Sequence, residues 1–135
     1  MTPGKIKVRK IEKGRYKIYL KKAKDFYEAM LRSYKENNWN SAGLEGVHCA
    51  ISAADALMVF YYGIRCASDD HRDSVKLLEQ YFPGPEYKNY ISHFRRIISQ
   101  KNLVEYEDRN FSAKEAEEIV KKAERFLNWV KEKIR

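Results

Sequence analysis

Apolar side chains at Tyr16, Tyr19, Leu20, Ala23, Phe26, Tyr27, Met30, Leu31 and Tyr34 recur at three- and four-residue spacing. That spacing predicts an amphipathic helix over residues 15–36. The turn-formers of "ENNWNSAG" end it. A second helix is expected over 42–67, "AGLEGVHCAISAADALMVFYYGIRCA", and it is apolar on nearly every side, so it needs neighbours all round. Acids in "SDDHRDS" open a short third helix carrying Val75, Leu77, Leu78, Tyr81 and Phe82, which stops at "PGP". A fourth helix is expected over 86–107, burying Tyr87, Tyr90, Ile91, Phe94, Ile97, Ile98 and Val104. Ser112 and Glu115 then have the spacing of a capping box, which starts a last helix through Ile134. Only "KIKVRKI" shows a faint strand-like alternation, read as a short extended or unstructured arm.

Short connections between such helices imply an all-α, up-and-down four-helix bundle with one additional short helix. With 135 residues there is material for one core of ordinary size. We therefore expect a basic N-terminal arm over 1–14 and a single helical domain over 15–135. The apolar excess of the second helix suggests a further use, most simply a homodimer interface. No uninterrupted apolar run of eighteen residues and no signal-peptide order are visible, so a soluble, cytoplasmic protein away from the membrane is expected. Cys49 and Cys66 fall on one expected helix, roughly 25 Å apart at 1.5 Å per residue, which excludes a disulfide between them.

Charge changes this picture at one end of the chain. The net charge is +8, yet residues 1–24 hold ten Lys or Arg against the single acid Glu12, and the rest of the chain is close to neutral. Such an arm can attract phosphates, or it can be a solvated tail continuing into the polar face of the first helix.

Two charges stand where the pattern asks for apolar residues. At about 100° per residue, Lys101 falls among Tyr90, Phe94, Ile97 and Val104 on the fourth helix, and Asp55 among Leu44, His48, Ile51, Val59 and Tyr62 on the second. Burial penalises an unpaired charge by several kcal/mol, so the two are expected to pair with each other, within one bundle or across a dimer. Alternatively, Lys101 reaches out to Glu105 and Asp55 faces a solvated groove. Away from that stripe, Arg95, Ser99, Asn102 and Tyr106 align at i, i+4, i+7 and i+11 as a polar ridge. A cation, an amide and a phenol can hold a phosphate or stack a base, and a solvated helix face has the same look. His48 reads as a core imidazole, His71 follows two acids at a helix start, and His93 flanks the core stripe. None has zinc-site spacing, and no glycine-rich phosphate loop or nucleophile elbow is present, so neither a metal nor a cofactor is expected.

Taken together, the aromatic first helix, "CAISAADALMVFYYGIR", "DDHRDSVKLLEQYF", "KNLVEYED" and the closing "SAKEAEEIVKKAERFLNWVKEKI" resemble the HEPN family over roughly residues 17–134. The resemblance implies an α-helical dimer with a nucleotide- or RNA-related role. Many such proteins are metal-independent ribonucleases, often toxins paired with a nucleotidyltransferase antitoxin. Their usual motif is an Arg, commonly followed by a polar residue such as Asn, then a His after four to six positions. Aligned on "KNLVEY", Lys101 takes the Arg position, Asn102 the polar one and Tyr106 that of the His. A phenol with a pKa near 10 is a poor base at neutral pH, and Lys lacks the two-pronged grip of Arg on a phosphate.

The expectation is a dimer that binds RNA, a nucleotide or a nucleotidyltransferase-type partner, without the usual Arg/His cleavage. Asp55 and Lys101 would fix the interior of its cleft, with Asn102 and Tyr106 near the floor and Arg95 and Ser99 alongside. A diverged ribonuclease stays open, with Lys101 or Arg95 stabilising the transition state and His48 or His93 from either protomer moving protons across the dimer cleft. So does a purely structural adaptor.

Overall fold

The computed structural model describes residues 5–135; residues 1–4 of the basic arm lie outside them. A strand β1 (Val8–Lys10) and a helical turn lead into α1 (Tyr16–Lys35). Then follow α2 (Trp39–Tyr62), β2 (Ile64–Cys66), α3 (Arg72–Tyr81), α4 (Lys88–Ser99), α5 (Lys101–Tyr106) and α6 (Ala113–Ile134). The fold is all-α, with one two-stranded antiparallel ribbon, β1 against β2, among the described residues.

Helix α2 runs through the middle of the bundle, against α1 and α6 along its length. Small residues make that possible: Ala42, Gly43, Gly46, Ala50, Ala53, Ala54 and Ala56 are all buried. A methyl group on Gly46 would overlap Ile119 of α6 and stand 3.1 Å from the Met30 sulfur of α1. On the far side of α6, Phe126 stacks on Phe94 at 4.9 Å between ring centroids, and Trp129 stacks on Tyr90 at the same distance. These two pairs set α4 flat against α6. The capping box at Ser112 and Glu115 is present in both directions. By length and composition α2 could cross a membrane, and 72% of that apolar stretch is buried inside the bundle. Most of the apolar excess that suggested a homodimer surface is thus used within one chain.

The end of α1 agrees with the periodicity to within a residue, whereas α2 and the expected fourth helix differ from it. Helix α1 ends in a Schellman motif: Asn37 adopts φ 63°, and the N–H groups of Asn38 and Asn37 donate to the carbonyls of Ser33 and Tyr34. Helix α2 ends at Tyr62 rather than at 67, because Gly63 takes a left-handed cap (φ 64°) and its carbonyl accepts from the Ile11 N–H. The chain turns into β2, so Cys66 leaves the helix that carries Cys49; both thiols are free, and burial pushes that of Cys49 up to about 12. The expected fourth helix is divided at Gln100. The Ser99 hydroxyl donates to the Arg96 carbonyl at 2.7 Å, the acceptor that the Gln100 N–H would use in an unbroken helix. Gln100 donates instead to Ile97, three residues back, and α5 starts after that tightened turn.

Within the chain Asp55 and Lys101 do not pair. Asp55 is 6% exposed and faces Arg65 of β2 at 3.5 Å, while Lys101 reaches Glu105 at 2.8 Å. The correction has a simple cause. The sharp turn at Gly63 folds Arg65 back over α2, and the four-residue spacing of Lys101 and Glu105 puts an acid on the adjoining helical turn. Burial pushes the Asp55 carboxyl up to about 7, against the lowering pull of Arg65 and Lys22. Its folded-state affinity for a proton therefore exceeds its unfolded one, so the stability it contributes is full below the usual value near 3.8 and is lost as pH rises through 7. Wild-type stability should accordingly fall relative to Asp55→Asn between about pH 4 and 7, by about 4 kcal/mol at most. Urea denaturation of both proteins across that window checks it, and parallel pH profiles would contradict it.

Candidate functional site

Between the first turns of α3 and the α4–α5 joint lies an open groove of about 830 Å³. Helix α3 contributes Arg72, Val75, Lys76 and Glu79 on successive turns, and the preceding loop contributes Asp69, Asp70 and His71. The opposite wall is Arg95, Ile98, Ser99, Lys101, Asn102 and Tyr106. The whole polar ridge read from the sequence thus converges here, joined by Lys101. The bend at Gln100 accounts for that addition: Lys101 starts a new helical segment instead of extending the core stripe of α4.

Other candidates go elsewhere. Asp55 lies on α2 beside Arg65. His48 stacks on Phe26 of α1 at 5.3 Å, and His93 faces Lys122 and Arg125 of α6, with its pKa lowered by burial first and by those cations second. Neither histidine lines the groove.

Most charges in the groove are balanced within the protein. Asp70 holds the Arg72 guanidinium at 2.8 Å and accepts from the Arg72 backbone N–H, which lowers its pKa to about 2. Arg95 bonds Glu79 at 2.6 Å across the α3–α4 contact, and Lys76 stands 3.8 Å from Asp73. Lys101 and Glu105 are both largely covered, 17% and 22% exposed, and the hydrogen bond from Lys101 is the main cause lowering the Glu105 pKa. Tyr106 is the contrast: 74% exposed at the groove's lip, with the Lys101 ammonium 5.7 Å from its ring centroid. Asn102 beside it is exposed as well. The floor formed by Val75 and Ile98 is apolar. A ligand that fits this arrangement presents a flat π-face and a hydrogen-bonding edge, with any negative charge directed to the rim.

The residue that the helical pattern passed over is His71. Only its place after two acids at a helix start marked it, because no spacing rule links a loop before α3 to a ridge on α4 and α5. In the fold it is half-buried in the groove wall, and burial first, then Lys101 and His48, lower its pKa. Glu105 and Asp70 pull the other way. The balance lowers the pKa and so favours the neutral imidazole. Lys101→Met should move the His71 titration to higher pH and Glu105→Gln to lower pH, as read from the imidazole proton shifts in NMR spectra. An unmoved titration in both variants would separate His71 from this cluster.

Comparison with known proteins adds the lineage. No curated protein matches the chain. A family model described as the HEPN domain matches residues 16–133, from the first residue of α1 almost to the end of α6. The match takes in both walls of the groove, the central α2 and the β1-pairing strand β2, and on its extent this chain belongs to the HEPN family.

Proposed function

We propose that this HEPN protein binds single-stranded RNA or a nucleotide in the α3–α4–α5 groove, without the Arg/His cleavage chemistry common in its family. The observation that carries the reading is Tyr106. A phenol 74% exposed at the lip of a groove gains little from the fold around it. It offers a stacking face, worth about 1–3 kcal/mol per base. Asn102 supplies a donor and an acceptor for a base edge at the same lip. Against cleavage stand the substitutions themselves. Lys101 is committed to Glu105, and a phenol is a weaker general base than the imidazole of the family motif.

One observation favours a second reading, a diverged metal-independent ribonuclease: His71, its pKa lowered by burial, lines the same groove as Lys101. An imidazole there could take the proton of a 2′-hydroxyl while Lys101 meets the phosphate charge. Within the chain His48 stacks on Phe26 yet stands close enough to His71 to lower its pKa, and His93 faces α6.

One experiment separates the two. Fluorescein-labelled single-stranded RNA is titrated with protein in EDTA, and the RNA is then run on a denaturing gel. Binding with intact RNA is expected. Tyr106→Ala should weaken it about 5- to 100-fold and Tyr106→Phe less than about 2-fold. Wild-type affinity in Tyr106→Ala would remove the binding reading. Cleavage that disappears in both His71→Ala and Lys101→Ala would replace it with the nuclease one.

A further inference from the structure

Beside the groove, and sharing Asp69 with it, is a smaller cleft of about 210 Å³ lined by Arg9, Arg65, Cys66, Ala67, Ser68 and Asp69. Its two arginines are direct cross-strand partners in the β1–β2 ribbon. Like charges placed opposite each other destabilise a strand pair unless an anion lies between them. No carboxylate relieves them fully. Arg65 has one loose contact, 3.5 Å to Asp55, and its Nε is buried with no hydrogen-bond partner among the described residues. The Ser68 hydroxyl is already donated to Asp73 and accepts from the Asp70 N–H.

The basic surface continues past the cleft. Arg65 lies over the Tyr19 ring at 5.3 Å, and Lys22 is on the same ring at 5.7 Å, which joins the ribbon to α1. Between Lys5 and Lys24 every Lys and Arg is exposed. Of these ten, only Lys21 has an ion-pair partner among the described residues, Asp25. The groove is the opposite case, because Arg72, Lys76, Arg95 and Lys101 each have a carboxylate nearby. Around the groove, then, unpaired positive charge is on the ribbon and the start of α1, and stacking and hydrogen-bonding groups are in the groove itself.

Resting on the groove reading above, we propose that the cleft between Arg9 and Arg65 and the basic start of α1 form a phosphate track continuous with the groove. The ligand is then a single-stranded polynucleotide several nucleotides long, with a base on Tyr106 and its backbone running over the ribbon, and not a mononucleotide. One nucleotide cannot reach both the lip at Tyr106 and cations spread along two strands and a helix. A chain of phosphates can, and each neutralised phosphate releases counterions.

The test compares a 4-nucleotide with a 20-nucleotide fluorescein-labelled RNA, by anisotropy across a salt series, on the full chain. The variant is Arg9→Glu/Lys10→Glu/Lys22→Glu; Arg65 is kept because it faces Asp55, and circular dichroism verifies folding. The variant should bind the 20-mer at least 10-fold more weakly, with a log–log salt slope shallower by about 2, at about 0.7 per lost contact. Its affinity for the 4-mer should change less than about 2-fold. An unchanged 20-mer affinity and slope would overturn the track while leaving the groove reading in place. Wild-type protein that binds neither RNA removes both. Wild-type protein that binds the two RNAs equally but sediments with phosphatidylserine vesicles, losing the vesicles in the triple variant, would assign the basic surface to a membrane and overturn the track as well.

Discussion

The close approach of α2 to its neighbours at Gly46 is the constraint on which the molecule is built. With hydrogen in place of a side chain, Ile119 of α6 and Met30 of α1 meet on the surface of α2, and the axes of three helices are held at small separations. An α2 of large side chains would push α1 and α6 apart and leave voids that the core could not fill. Everything outward follows from that spacing. α6, held against α2, presents Phe126 and Trp129 to Phe94 and Tyr90, and so locates α4. α4 in turn meets α3 through Arg95 and Glu79, and the groove is the space left between them.

That derivation separates the roles of the two surfaces beside α3. Inside the groove each of Arg72, Lys76, Arg95 and Lys101 has a carboxylate beside it, and the Arg95–Glu79 pair also joins α3 to α4, so little unbalanced charge is left for a ligand. What stays available is geometry: an exposed ring, an exposed amide and an apolar floor. On the ribbon the reverse holds, since β1 and β2 set Arg9 opposite Arg65 and the one acid near them, Asp55, makes a single loose contact of 3.5 Å with Arg65. Membership of the HEPN family describes the bundle, while the distribution of paired and unpaired charge follows from the side chains of this chain.

Much of the fold was legible from periodicity. The stripes of α1, α3, α4 and α6 are strong because each has one buried face, and the capping box at Ser112 is a purely local motif. The pairing of Lys101 with Glu105 belongs to the same class, being fixed by four-residue spacing. The misreadings have local causes whose outcome is not local. Gly63 was visible in "YYGIRC", but a glycine ends a helix only when something receives the chain beyond it, and here that is β1. Ser99 had two acceptors for its hydroxyl, solvent and the Arg96 carbonyl, and its choice of the latter split the expected fourth helix. Within the candidate site the ridge of Arg95, Ser99, Asn102 and Tyr106 could be read because one face of neighbouring helical turns carries it. His71 could not, because its relation to that ridge runs through the packing of α3 on α4.

By itself, then, the sequence determined the helical class, the buried faces, the basic N-terminal segment and the absence of Arg and His from the two expected motif positions. These are properties of neighbours along the chain, where a spacing of three, four or seven residues is already a distance in space. Tertiary structure alone decided the partner of Asp55, the opposition of Arg9 and Arg65, and the meeting of His71 with Lys101. Each joins segments tens of residues apart, and only the packing of whole helices around α2 converts that separation into contact.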